Sequence, residues 1–91
     1  MKRLEEVKQE IQSLKKVSDT FRMSKNIKTI EFAVLEQINE CSYTFEVKKG
    51  SYIQTKKYNT NRKMGMKTKY CVKIDEDTIY EIGKEDILSV S

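Results

Sequence analysis

Two runs of two-residue alternation in the middle of the chain limit most sharply what it can fold into. Tyr43, Phe45 and Val47, and later Met66, Thr68, Tyr70, Val72 and Ile74, alternate with Thr44, Glu46 and Lys48, and with Lys67, Lys69, Cys71 and Lys73. This is the period of a strand with one buried face. Between the runs, residues 51–58 are rich in Tyr, Ile and Thr, and Lys49-Gly50 offers a residue free to take positive φ, so a hairpin is predicted at Gly50. If Ile53 and Thr55 point inward, then Tyr52, Gln54, Lys56 and Tyr58 share an outer face with Lys48, Lys67, Lys69 and Lys73. Residues 59–63 have turn chemistry and no apolar side chain, which predicts an exposed basic loop carrying Arg62 and Lys63. Gly65 then enters the next strand as a bulge or a close backbone approach.

The N-terminal segment has a different period. Leu4, Val7, Ile11, Leu14 and Phe21 fall on a heptad stripe with Ser18 at the missing position, which predicts an amphipathic helix over residues 1–22. That stripe is a candidate for self-association and equally for packing within the chain. Around residues 24–26 the polarity rises and a hinge is expected, with Ser24 or Asn26 able to cap a new helix. Ile27, Ile30, Val34, Ile38 and Cys41 recur every three or four residues, and Phe32, Ala33 and Leu35 fill the remaining sides. Ile30, Phe32 and Val34 also alternate as a strand would, but the length and the polar continuation from Glu36 to Glu40 favour a second helix.

After Ile74, Asp75-Glu76-Asp77 reads as a hairpin turn before the strand at residues 79–82, and Leu88-Ser89-Val90 supplies a last one. The chain has no proline, and its three glycines all lie at or beyond residue 50. The expectation is therefore an α+β fold in one compact unit: an N-terminal hairpin of two amphipathic helices over residues 1–42, then a small five-stranded antiparallel sheet or partly closed SH3-like or OB-like barrel over residues 43–91. At 91 residues the core is small, so association, as a dimer in the first instance, is an expected supplement.

Charge is unevenly divided. Residues 1–42 hold 8 basic and 7 acidic residues, residues 43–73 hold 9 and 1, and residues 74–91 hold 1 and 6. A local excess of that size draws phosphate-bearing partners to the middle segment. Catalysis is not expected: there is no histidine, Cys41 and Cys71 have no activating neighbour in sequence, and the glycines are isolated. The two cysteines and absent histidines also exclude the common zinc patterns, and no cofactor is implied. No run is apolar enough to span a membrane and no signal-peptide core follows the N-terminus, which predicts a cytoplasmic chain with reduced thiols.

The residues expected to hold nucleic acid or an anionic nucleotide-like ligand are Lys48, Lys56, Lys57, Arg62, Lys63, Lys67 and Lys69, with Tyr52 and Tyr58 as stacking platforms. A reading of another class is a small adaptor or inhibitor, of the kind a phage or mobile element carries, that meets a protein target through the helical stripe or the acidic C-terminal segment.

Overall fold

A computed structural model of the chain describes residues 2–18, 21–59 and 66–91. One helix, α1 (Leu4–Leu14), precedes five strands, β1 (Thr29–Asn39), β2 (Ser42–Asn59), β3 (Met66–Asp75), β4 (Thr78–Ile82) and β5 (Ile87–Val90), with a single 3-10 turn at Lys84–Asp86 before the last. The strands form one antiparallel sheet in the order β4-β3-β2-β1-β5. The predicted helical hairpin is not present: the residues assigned to its second helix are strand β1. The expected boundary at residue 42 falls at the first residue of β2, inside one sheet.

The reason for the difference is burial on both faces. Ile30 and Phe32 are directed into a core with Val72, Ile82 and Ile87, while Ala33, on the opposite face, packs with Val7, Ile11 and Leu88. A strand covered on both sides loses the apolar-polar alternation that identifies half-buried strands, and a continuous apolar run imitates a buried helix. Phe32 is fully buried and meets Tyr80 at 5.6 Å between ring centroids with the planes tilted by 57°.

Helix α1 lies on the second face and is tied to the sheet at each end. The Tyr43 N–H donates to the Lys2 carbonyl just before the helix, and the Lys16 N–H donates to the Leu88 carbonyl of β5 just after it. Val7 and Ile11, two of the five stripe residues, are buried against the chain's own sheet. Burying them is worth roughly 1.5–3 kcal/mol each, more than a helix of eleven residues gains from its backbone alone. Leu14 remains 44% exposed, and Phe21 lies beyond the helix, packed on the other core.

The predicted hairpin at Gly50 is likewise absent, because β2 runs through it for 18 residues. Its first part pairs with β1 and its last part with β3, with Ser51 reaching both partners. Gly50 has no left-handed φ. A Cβ there would lie 2.5 Å from the Lys73 carbonyl oxygen and 2.8 Å from Val72 Cγ1. The glycine is needed for close approach of β2 to β3, and not for a reversal. The sheet does not close into a barrel: β4 and β5 are its two edges, with no pairing between them among the described residues.

Two of the reversals are held by side chains. Asn39 Oδ1 accepts the Cys41 N–H in the β1–β2 turn, and Asp75 Oδ1 accepts the Asp77 N–H in the β3–β4 turn predicted at that place. That bond, with further bonds at Thr78 and the charge of Lys73, holds the Asp75 carboxyl below its usual range. No helix among the described residues is long and apolar enough to cross a membrane.

Candidate nucleic-acid interface

The helix shields one part of the sheet's outer face, over Ala33, Leu88, Tyr43 and Phe45. The remainder, built from the second half of β2 with β3 and β4, carries four of the nine basic residues of the segment 43–73. Residues directly opposite in an antiparallel ladder share a face, so the register assigns each side chain. Lys56 stands opposite Lys69, Tyr58 opposite Lys67, and Ser51 opposite Lys73. Between these rows lies a third, Gln54 opposite Cys71 and Cys71 opposite Glu81.

Four of the expected binding residues, Lys56, Tyr58, Lys67 and Lys69, are therefore placed together, along with Lys73, another residue of the predicted outer face. Three are not. Tyr52 pairs with Val72 and packs half-buried on the inner core, its hydroxyl bonded to that of Thr55. Lys48 stands opposite Phe32, forms an ion pair with Glu46 at 3.3 Å, and sits 5.8 Å from the centroid of the Tyr80 ring. Lys57 stands opposite Thr68 in the row facing away from Lys56. Tyr52 is placed inward, and parted from Gln54, by a bulge at Ile53, which inserts one residue between Tyr52 and Gln54. Arg62, Lys63 and the expected Gly65 bulge lie outside the described residues.

The electrostatics of this face are one-sided. Like charges directly opposite across a ladder repel, and Lys56 and Lys69 have no carboxylate within ion-pair distance among the described residues. Lys69 is partly offset by Asp86, which feels its charge. In the middle of the lysines, the Tyr58 hydroxyl donates to Glu81 Oε1. That bond raises the tyrosine's pKa first, with desolvation and the negative charge of Glu81 adding to it. A tyrosine phenol is protonated at neutral pH without any shift, and here it donates to Glu81.

Cys71 is 2% exposed although it faces the same side as the open chains of Gln54 and Glu81. Burial pushes its thiol up, Glu81 pushes in the same direction, and Lys56 opposes them. A thiol held protonated is a poor nucleophile, so this residue serves as packing beneath the surface. Gln54, Cys71 and Glu81 do not stand out as site residues from sequence. Counting back from a two-residue turn at Glu76-Asp77 sets Glu81 opposite Val72, on the inner face, and only the irregularity between Lys73 and Asp75 brings it outward to Cys71.

The arrangement offers cations for phosphates, an aromatic ring 41% exposed among them, and hydrogen-bonding groups at the centre. Comparison of the chain with family models, curated proteins and solved structures yields no match.

Proposed function

We propose that the outer face of β2, β3 and β4 binds single-stranded nucleic acid, with Lys56, Lys67, Lys69 and Lys73 on the phosphates and Tyr58 under a base. The role is binding and not catalysis: there is no histidine in the chain, and the buried thiol of Cys71 stays protonated. The observation that carries the reading is the opposed Lys56–Lys69 pair, neither member of which has a carboxylate within ion-pair distance among the described residues. Its repulsion works against the fold when the face is empty and is cancelled when a phosphate lies between the two ammonium groups.

Tyr58 favours a single strand over a duplex, because stacking on its ring requires an unpaired base face. The helical stripe offers less to a protein partner, since Val7 and Ile11 are already covered within the chain.

The test is fluorescence anisotropy of a labelled single-stranded oligonucleotide titrated at several salt concentrations. Four phosphate contacts to a single strand predict a log-log slope of about −3. The double variant Lys56→Glu, Lys69→Glu is expected to lose most of the affinity and to flatten the slope. Unchanged affinity in that variant would overturn the proposal.

A further inference from the structure

Glu81 is out of place on a surface made for phosphate, since its carboxylate repels the backbone that the lysines attract. It is not neutralised by them: the described ion pairs are Lys2 with Glu10 and Lys48 with Glu46. Its one described hydrogen bond comes from Tyr58, through Oε1, which leaves Oε2 without a partner among the described residues. The bond also fixes the tyrosine. It ties a side chain from the end of β2 to one on β4 and draws the phenol across β3. A base stacked on that ring has its edge beside Glu81.

From this geometry we infer, resting on the nucleic-acid reading above, that Glu81 reads the edge of the unpaired base on Tyr58, accepting a hydrogen bond at Oε2 from an exocyclic amino group. Cytosine, adenine and guanine carry that donor; thymine and uracil present carbonyl oxygens there, which a carboxylate repels. The surface thus selects single strands containing amino-bearing bases. Gln54 faces Glu81 from the other side of Cys71, and its amide supplies both a donor and an acceptor to the rest of the base. The lysines supply affinity without sequence information, and the carboxylate supplies the discrimination at some cost in affinity.

The test compares labelled oligodeoxycytidylate and oligodeoxythymidylate of equal length at neutral pH and fixed salt. The wild-type chain is expected to bind the cytidine strand roughly three- to tenfold more tightly, the range of one net hydrogen bond. Glu81→Gln keeps an acceptor for the Tyr58 hydroxyl and turns the second position into a donor. It is expected to abolish or reverse the preference, chiefly by tightening binding to the thymidine strand, whose carbonyl then meets a donor in place of a negative charge. Equal binding of the two strands by the wild-type chain, or a cytidine preference surviving in Glu81→Gln, overturns the role of Glu81 and leaves the basic face as a binding surface. Failure of either strand to bind overturns the surface itself and this inference with it.

Discussion

Lys56 and Lys69 face each other across the β2–β3 ladder, on the outer side of the sheet, with no carboxylate within ion-pair distance among the described residues. Directly opposed like charges cost a sheet, and opposed unlike charges contribute, each on the order of 0.2–1 kcal/mol. Stability and the proposed binding therefore pull in opposite directions at this pair. Lys56→Glu is expected to raise the urea midpoint, by a free energy of about 0.2–1 kcal/mol, while weakening oligonucleotide binding in the anisotropy titration. A variant that loses both stability and binding would show that Lys56 acts through its packed stem and not through its charge.

Gly50 sets the course of β2, and the requirement is steric. A methyl group there would press on the Lys73 carbonyl and on Val72, backbone and buried core that have little room to give. Gly50→Ala is expected to destabilise by about 1–3 kcal/mol, the usual cost of overpacking. Gly50→Asn should be worse still. At a left-handed turn the order would be reversed, since asparagine tolerates positive φ better than alanine does. Urea denaturation of the two variants decides between the readings.

The same residues show how far the sequence can be read. Strand β3, the turn at Asp75 and the presence of an N-terminal helix are legible, because each has one buried face or a polar break that gives it a clean period, but the helix expected over residues 1–22 runs only from Leu4 to Leu14. Strand β1 is not, since Phe32, Ala33, Val34 and Leu35 are apolar in succession for a strand with core on one side and helix α1 on the other. Gly50 misleads because a glycine needed for lack of Cβ has the same letter as one needed for φ. The basic face is visible as charge, but its membership depends on two irregularities. The bulge at Ile53 moves Tyr52 inward and the one between Lys73 and Asp75 moves Glu81 outward, and no local residue type announces either.

Helix α1 offers a direct comparison of stripe positions. Val7 is fully buried between the helix and Ala33, whereas Leu14 ends the helix 44% exposed. Val7→Lys places an unpaired ammonium in that contact and is expected to unfold the chain or release the helix, seen as a fall in both the thermal midpoint and the far-ultraviolet helical signal. Leu14→Lys should leave stability within about 0.5 kcal/mol. Equal effects at the two positions would mean that the stripe is buried along its whole length, as it is when a second chain covers the helix.

Asp86, in the 3-10 turn before β5, makes stability depend on pH in a direction opposite to Asp75. Burial raises the Asp86 pKa, the neighbouring Glu85 adds to it, and Lys69 and Lys15 offset part of the rise. The folded chain then holds this proton more tightly than the unfolded chain does. Its contribution is fully present below the unfolded value, near 4, and is lost as pH rises through the raised folded value. The lowered Asp75 acts the other way: its contribution is present above the unfolded value and is lost as pH falls through the folded one. Asp86→Asn removes the first effect and keeps the shape of the side chain. Its urea midpoint is expected to exceed that of the wild-type chain at neutral pH, with the gain disappearing as the solution is acidified below the unfolded value. A variant less stable than wild type at neutral pH would show instead that the ionised carboxylate is needed there, held between Lys15 and Lys69.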